Sequence, residues 1–537
     1  MESIGQCPYL ASAERISLPE SPESRPGFHL DASLSSSERH QVHSTLSQVR
    51  GDLALLDDAL AHITAIQTQL TKKRDALQAI SDRLNAIISP MRAAPPEIIA
   101  EIFSYLKGDY RDKVHAHARA ESLLPTHVCQ QWRRIALSIP SLWNNIYING
   151  GSVSDSIPNS EVECIKVWLA RAKNCPLSIN LQRLDDWWDD FDFERDDAWN
   201  AIFEILLQYS HRWRHAILFS TTTTDFSSLR NNLPLLETLE IKCPIGSDTI
   251  FGGNAFEIAP RLVSVTFVAG ESTNILPWAQ LKVFSADTCV TISESLDFLR
   301  RMPNIVSFHA EIHSQESEAM GFTNTPLQLS KLESLSVLEN EEFSMTRYLN
   351  NLTLPSLKSI KLSAESPFYG NPDDEWVSAA VSMIQRSSCS IKSLEIEGAT
   401  WNGQSTLGDF LRATPLLETL NIGLNTTYDL DKAMRFLTAP IGICSTPCLT
   451  PKLQHLRLLY RLPFEPQAFV DMVSSRWRVT LGGSVVRLRS IKLINILPAT
   501  IFDFSHLERL GEFAAEGLDI QLNDTEGKPI QIGSTLA

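Results

Sequence analysis

Residues of the types that do chemistry are scattered along this 537-residue chain rather than grouped. The sequence has no G-x-x-x-x-G-K-[ST] phosphate loop, no H-E-x-x-H metal helix and no G-x-S-x-G nucleophile turn. His115 and His117 lie close together, but in a polar stretch where exposed imidazoles are expected. None of the common catalytic sites therefore has a local signature, and only a site assembled from distant segments is left open.

The nine cysteines do not form a metal-binding or disulfide pattern. Cys444 and Cys448 have C-x-x-x-C spacing but lack the second pair or His doublet that a zinc site needs. Cys129 is expected to be a small buried hydrophobe rather than a nucleophile. An odd number of scattered cysteines is typical of reduced thiols in the cytoplasm or nucleus. No cofactor and no metal are predicted.

Residues 185–197 alternate carboxylates with large aromatic side chains. Such a run can dock a basic partner, or it can be a solvated loop whose rings pin it to the body of the protein. The sequence favours the loop. A calcium site is less favoured still, because no glycine turn sets the ligand geometry.

The overall charge argues against partners that are held by long-range attraction to phosphate. The formal net charge is -16 and the pI is near 5.3, which disfavours non-specific electrostatic binding to nucleic acid. The chain also has no uninterrupted run of about 18 apolar residues, the length that a membrane helix needs. We expect a soluble, cytoplasmic and/or nuclear protein with no nucleic-acid and no membrane partner.

The N-terminal part predicts a flexible tail followed by one long helix. Residues 1–37 are rich in Ser, Pro and Glu and bury too little apolar surface to order. Residues 38–90 predict a coiled-coil-like helix, which Pro90 ends. Its apolar residues recur at steps of three and four: Val49, Leu53, Leu56, Leu60, Ile63, Leu70, Leu77, Leu84 and Ile88. Residues 38–89 can form a homodimer, or the helix can fold back on the rest of its own chain.

Two short amphipathic helices are predicted next. Pro95 and Pro96 suit a first helical turn, which needs no N–H donors, and an apolar stripe follows. The stripe consists of Ile99, Ile102, Phe103 and Leu106, and Ile98 widens it. A second stripe consists of Val128, Trp132, Ile135 and Ala136. Helices this short scarcely cover each other, so we expect a further surface to cover them.

These helices resemble an F-box of the fungal, basidiomycete-like type, the adaptor-binding module of Skp-cullin-F-box ubiquitin ligases. Residues 128–143 match the signature V-C-x-x-W-R-x-I-A-L-S-x-P-x-L-W, and the predicted module spans 91–148. The resemblance implies that the following residues bind the Skp adaptor: Pro96, Ile99, Ile102, Phe103, Leu106, Val128, Trp132 and Leu142.

Two features depart from the F-box pattern. Ala94 stands where the family usually has Leu, and a polar insert at 107–121 separates the helices. Burial of a leucine side chain contributes about 1.5–3 kcal/mol, so a weaker adaptor affinity is expected.

A leucine-patterned array follows. The motif L-x-x-L-x-h recurs ten times from Leu236 to Leu493, its first positions being 19 to 36 residues apart. Trp213 begins a weaker first copy. We predict a linker and repeat N-terminal cap at 149–212, the array at 213–515 and a C-terminal tail at 516–537. An ordinary α/β sheet with accidental leucine spacing is the alternative.

The predicted fold class is therefore α/β, with an N-terminal heptad helix and a small helical F-box followed by a leucine-rich-repeat-like solenoid. Strand alternation places the residues between the motif's apolar positions on the opposite face of the sheet. One column of this face, the residue before each second apolar position, consists mostly of Ser and Thr. The next contains the candidate target-binding residues His309, Lys361, Glu395, Arg457 and Lys492. An ordinary solvent face is the alternative for both columns.

The resemblance implies a non-catalytic substrate-recognition subunit of a Skp-cullin-F-box E3 ubiquitin ligase, acting in ubiquitin-dependent protein degradation. Its expected partners are the Skp adaptor, the cullin scaffold of the ligase and an unknown target protein held by the array. The alternative is a protein-interaction scaffold outside any ligase, dimerised by the heptad helix.

Overall fold

The structure is a computed structural model in which two compact units, Met1–Ile99 and Ala100–Ala537, are described separately. It describes residues 16–19, 35–106, 117–149, 159–182, 197–219, 225–242, 253–268, 275–313, 326–339, 344–364, 375–397, 406–424, 430–439, 448–460, 464–479, 485–497 and 502–532.

The first unit contains one long helix, α1 (Ser36–Ile88). Ser35 caps it: its hydroxyl accepts from the Glu38 backbone N–H at 3.3 Å, and the Glu38 carboxylate accepts from the Ser35 backbone N–H at 2.9 Å. The Ser35 hydroxyl also donates to the Glu38 carboxylate at 2.7 Å, and this bond, together with that from the Ser35 N–H, holds the pKa of Glu38 below its ordinary value. A four-residue helix, α2 (Pro90–Ala93), follows, with Pro90 in its first turn. Most of the predicted tail lies outside the described residues.

Helix α3 (Pro96–Ser104) crosses from the first unit into the second. The other helices of the second unit are α4 (His117–Val128), α5 (Gln130–Ser138), α6 (Asn159–Ala172), α7 (Asp197–Leu207), α8 (Ile292–Arg301), α9 (Ser344–Asn350), α10 (Glu375–Ser387), α11 (Thr406–Ala413), α12 (Leu430–Leu437), α13 (Pro466–Trp477) and α14 (Phe504–Ala515).

The strands of the second unit are β1 (Asn145–Asn149), β2 (Leu177–Gln182), β3 (Trp213–Phe219), β4 (Thr238–Lys242), β5 (Ser264–Val268), β6 (Val283–Thr291), β7 (Ser307–His313), β8 (Leu327–Gln328), β9 (Ser334–Glu339), β10 (Leu352–Thr353), β11 (Ser359–Ala364), β12 (Ser393–Glu397), β13 (Thr419–Leu424), β14 (His455–Tyr460), β15 (Ser490–Ile496) and β16 (Asp519–Asp524). Strands β8 and β10 pair with each other. In the described residues the other fourteen form one parallel sheet in chain order.

The predicted fold class is confirmed: a long N-terminal helix precedes a parallel, solenoid-like array of strands. Each of the ten predicted motif strands begins at the residue before the motif's second apolar position, and neighbouring copies pair in register. The sheet also extends beyond the motif. Strand β1, at the end of the F-box-like residues, pairs with β2, and β16 follows β15. The F-box-like segment thus continues directly into the sheet.

Alternation determines which face of the sheet is buried. In β7 the residues Phe308, Ala310 and Ile312 are buried, whereas Ser307 and His309 are half-buried on the other face. Aromatic rings continue this core from strand to strand, since Phe284 stacks on Phe308 at 5.8 Å between ring centroids. Each such side chain contributes about 1.5–3 kcal/mol when it is removed from water. No single repeat can bury this face alone, so the repeats must stack.

Buried or partly buried arginines join successive helix–strand layers. The Arg212 guanidinium donates to the Cys175 carbonyl at 3.0 Å. Arg386 donates to the carbonyls of Leu352 and Leu349 at 2.6 and 3.0 Å. In each case the side chain reaches more than thirty residues back along the chain and satisfies carbonyls left without partners at the ends of earlier elements.

Arg476 is the most enclosed of these arginines. Its side chain is fully buried and donates to the Leu437 carbonyl, to the Thr450 carbonyl at 3.1 Å and to the Thr450 hydroxyl at 2.8 Å. Burial lowers the pKa of this guanidinium, and in the described part of the chain no carboxylate forms an ion pair with it. The two carbonyls and the hydroxyl therefore replace water as its partners.

We expect Arg476→Ala to lower the free energy of unfolding by roughly 3 kcal/mol or more, since each buried carbonyl left unpaired costs about 1–3 kcal/mol. Arg412→Ala removes an exposed arginine that pairs with Asp409 at 2.5 Å, and should cost about 0.5 kcal/mol or less. Urea unfolding followed by circular dichroism measures both. Equal losses in the two variants would contradict the structural role of Arg476.

Candidate functional site

The F-box-like helices are held together by aromatic side chains. The rings of Phe103 in α3 and Trp132 in α5 meet edge to face, with centroids 5.1 Å apart. Trp143 is fully buried; its indole N–H donates to the Ala136 carbonyl at 3.1 Å. The Trp143 ring also meets Trp168 of α6 edge to face at 5.1 Å. This tryptophan therefore anchors the helical segment to the first helix that packs beside the sheet.

The second predicted stripe is divided between two helices, and this corrects the sequence analysis. Val128 ends α4 and Trp132 lies in α5, because Cys129 between them has extended backbone angles (φ -158°, ψ 169°). The Cys129 sulfur accepts from the Trp132 backbone N–H at 3.4 Å and caps α5. Cys129 is exposed, so the prediction that it is buried was wrong. Helix α4 also begins at His117, within the predicted polar insert.

The predicted adaptor-binding residues occupy three kinds of position. Ile99, Phe103 and Leu142 are buried. Leu106 and Trp132 are half-buried. The exposed members are Pro96, Ile102 and Val128, the last two being 42% and 60% exposed. The exposed members offer a partner the largest part of their side chains, whereas the buried ones hold the helices in place.

Three further apolar residues of the F-box-like segment are exposed. Tyr105 is 80% exposed and Leu124 is 59% exposed, and Ile98 lies one turn before Ile102 in α3. Tyr105 follows Ile102 by three residues, so the helical spacing in the sequence could have identified it. Leu124 could not be recognised, because the sequence does not reveal that α4 runs through Pro125. Ile102, Tyr105, Leu124 and Val128 are called the apolar helix patch below.

The five candidate target-binding residues lie in one row across the solvent face of the sheet. In-register pairing gives the order His309, Ser336, Lys361, Glu395, Asn421, Arg457 and Lys492, one residue per strand. All are half-buried. The structure therefore brings these side chains together; whether they bind a target stays a prediction.

A network of charges occupies the middle of this row. The Lys361 ammonium lies 2.5 Å from a Glu395 carboxylate oxygen and 3.5 Å from one of Glu397. The Asn421 amide also donates to Glu395 at 3.1 Å. Burial raises the pKa of Glu395, but the bonds from Lys361 and Asn421 outweigh it and hold that pKa below its ordinary value. The bond to Glu395 likewise raises the pKa of Lys361.

His309 is held by contacts that recur elsewhere on the face. Its Nδ1 lies 2.8 Å from the Ser336 hydroxyl, and its Nε2 lies 3.6 Å from an Asp287 carboxylate oxygen. Burial lowers the pKa of His309 and favours the neutral ring. His215 and His455 make the same Nδ1 contact, also at 2.8 Å, with a hydroxyl on the next strand. The repetition indicates a sheet-stabilising contact rather than a catalytic one.

The described residues include no group of three or more His, Cys, Asp or Glu that could hold a metal ion. None of the described helices is both long and apolar enough to cross a membrane. The acidic and aromatic residues 185–196, together with His115 and Cys444, lie outside the described residues, so their roles stay predictions.

Comparison with known proteins identifies the helical segment. A family model described as F-box-like matches residues 95–149. None of the curated proteins compared with the chain matches it. Among solved structures, the chain is similar to the leucine-rich repeat-containing protein LegL7 from Legionella pneumophila, with 14% sequence identity and a TM-score of 0.29. That similarity covers 59% of this chain and 92% of the other.

The Lys361–Glu395 pair should make stability depend on pH at both ends of the range. The pKa of Glu395 is lowered in the folded state, so its contribution to the free energy of unfolding is present above the ordinary pKa of 4.5. That contribution is lost as pH falls through the pKa of the folded state. The pKa of Lys361 is raised in the folded state, so its contribution to the free energy of unfolding is present below the ordinary pKa of 10.5. That contribution is lost as pH rises through the pKa of the folded state.

We therefore expect the double variant Lys361→Met, Glu395→Gln to be less stable than the wild type by about 0.5–1 kcal/mol between these limits, a value reduced by solvent exposure. The difference should shrink at both pH extremes. Urea unfolding at a series of pH values measures it, with Lys358→Met, Glu333→Gln as an exposed control pair. A difference that does not change with pH would contradict the proposed coupling.

Proposed function

We propose that the protein is a substrate-recognition subunit of a Skp-cullin-F-box E3 ubiquitin ligase, with an F-box of the fungal type. The F-box-like segment would bind the Skp adaptor, and the array would bind a target protein. The observation that carries this proposal is the match of residues 95–149 to an F-box-like family, in a segment that exposes the apolar helix patch.

The exposed apolar residues give the adaptor interaction a physical basis. Removal of each such side chain from water contributes about 1.5–3 kcal/mol to association. Ile102 lies in the last turn of α3 and Tyr105 follows directly after its end, while Leu124 and Val128 are one turn apart on α4, so each of the two segments presents more than one contact. An adaptor with an apolar groove would cover surfaces that these short helices leave in water.

The proposed mechanism is proximity. F-box and leucine-rich-repeat proteins are generally adaptors and receptors rather than catalysts, which agrees with the absence of a local catalytic signature. A target held on the array beside a ubiquitin-conjugating enzyme recruited through the cullin would present its lysines at high effective concentration. The chain itself would supply no catalytic group. Such a receptor would act in the cytoplasm and/or the nucleus.

We expect the wild-type chain to copurify with a co-expressed Skp adaptor, and the double variant Ile102→Glu, Val128→Glu to lose at least about ten-fold in affinity. Val167→Glu is the matched control, because Val167 is an apolar residue of α6, 45% exposed and outside the F-box-like segment. Phe103→Ala is unsuitable here, since Phe103 is buried and its loss would also disturb folding.

Surface plasmon resonance with immobilised adaptor measures the affinities, and circular dichroism checks that each variant is folded. A folded wild-type chain that does not bind the adaptor would contradict the proposed ligase role. The same conclusion would follow if Val167→Glu weakened binding as much as the double variant.

The second candidate is a scaffold outside any ligase, dimerised through α1. One observation favours it: Leu70, Leu77 and Leu84 recur every seven residues in α1 and are 58–67% exposed. A stripe with this spacing is typical of a coiled coil, in which a second helix covers it. These three residues are called the seam leucines. Dimerisation and adaptor binding are compatible, so only a dimer that lacks adaptor binding would favour the scaffold.

Replacement of all three seam leucines with Ser should convert a dimer into a monomer, because each leucine loses a contact worth about 1.5–3 kcal/mol in each helix. The matched control replaces Thr71, Gln78 and Asn85, each one residue after a seam leucine, with Ser. Sedimentation equilibrium at micromolar concentration measures the mass. A wild-type chain that is monomeric throughout this range would contradict dimerisation by α1.

A further inference from the structure

Two cations stand directly opposite each other near the C-terminal end of the array. Arg457 in β14 and Lys492 in β15 are partners in the parallel register, and both are on the solvent face of the sheet. Like charges in this position destabilise a sheet. They are also unusual in a chain whose formal net charge is -16. An anion between the two side chains would relieve this repulsion.

The described residues supply only part of that compensation. An Arg457 guanidinium nitrogen lies 3.7 Å from a Glu397 carboxylate oxygen, across a strand that has only Gly423 at the intervening position. In the part of the chain that the structure describes, the Lys492 ammonium has neither an ion pair nor a hydrogen bond. Lys242 and Lys361, on the same face, lie 3.2 and 2.5 Å from carboxylates.

An apolar pair adjoins the two cations. Leu459 and Ile494 are also partners in register, and each lies two residues beyond its cation on the same face. Both are half-buried. Two residues of a strand span about 7 Å, so the cationic and apolar pairs lie side by side at that spacing. Gly423 is the register partner of Leu459 on the other side.

We propose that Arg457, Lys492, Leu459 and Ile494 form a docking surface for an extended acidic segment of a partner protein. A carboxylate would lie between Arg457 and Lys492, and the side chain two residues along would pack on Leu459 and Ile494. Alternate residues of an extended chain point the same way and are about 7 Å apart, which matches the two pairs. The surface would therefore select a three-residue sequence that begins with Glu or Asp, continues with any residue and ends with a large apolar residue.

This inference rests on the proposed role of the array in target binding and specifies the chemistry of the target. The charges favour a carboxylate partner for two reasons. It neutralises Lys492, and it relieves the repulsion between Lys492 and Arg457. A basic segment would add a third cation to the same position.

The test uses the full-length chain and the fluorescein-labelled peptide Gly-Ser-Glu-Ser-Leu-Ser-Gly as probe. Fluorescence polarisation should show that replacement of Glu by Gln, or of Leu by Ser, weakens binding about five-fold or more. Lys492→Glu should lose the Glu peptide and bind the corresponding Lys peptide instead. Arg489→Gln is the matched control, because it removes an exposed cation just before β15 and should leave binding unchanged.

The proposal is overturned if the Glu and Gln peptides bind equally, if the Glu peptide does not bind, or if Arg489→Gln weakens binding of the Glu peptide as much as Lys492→Glu. A phosphoserine peptide that binds where the Glu peptide does not would also overturn the choice of a carboxylate. The assay contains no Skp adaptor. Peptide binding by a chain that fails to bind the adaptor would therefore support this surface while contradicting the ligase role.

Discussion

In-register pairing of parallel strands is the constraint on which the array depends. The second and third apolar residues of every motif are buried. A shift of the strand register by one residue would therefore expose these apolar side chains to solvent. The register is consequently the same along the ten motif strands, and it places His309, Lys361 and Lys492 in one row. Burial of the apolar face thus determines which residues lie on the solvent face, and hence any selectivity for a target.

The helical segment is continuous with this architecture. Strand β1 follows α5 after a single turn and pairs with β2, and Trp143 between them is buried against Trp168. A partner bound to the apolar helix patch would therefore sit on a support fixed to the start of the sheet. This continuity supports the proposed receptor role, in which a target would be held at a defined place relative to the ligase.

Much of the fold could be predicted from the sequence because its signals are local. The motif's apolar spacing predicted that each copy supplies one strand, and alternation predicted the row that contains Lys361 and Glu395. The break at Cys129 was missed, because the apolar spacing from Val128 to Trp132 also fits one unbroken helix. The role of Arg476 was missed for a different reason: its acceptors at Leu437 and Thr450 become neighbours only when the repeats stack. The burial of Phe103 likewise depends on Trp132, which lies in a separate helix.

We propose that the apolar helix patch binds a Skp adaptor while the array remains free for a target. Hydrogen–deuterium exchange of the full-length chain with and without Skp adaptor tests it most directly. The account predicts slower exchange at 101–106 and 117–138 on adaptor binding, with the strands from β4 to β15 unchanged. Unchanged exchange in the helices, or protection confined to the strands, would contradict it.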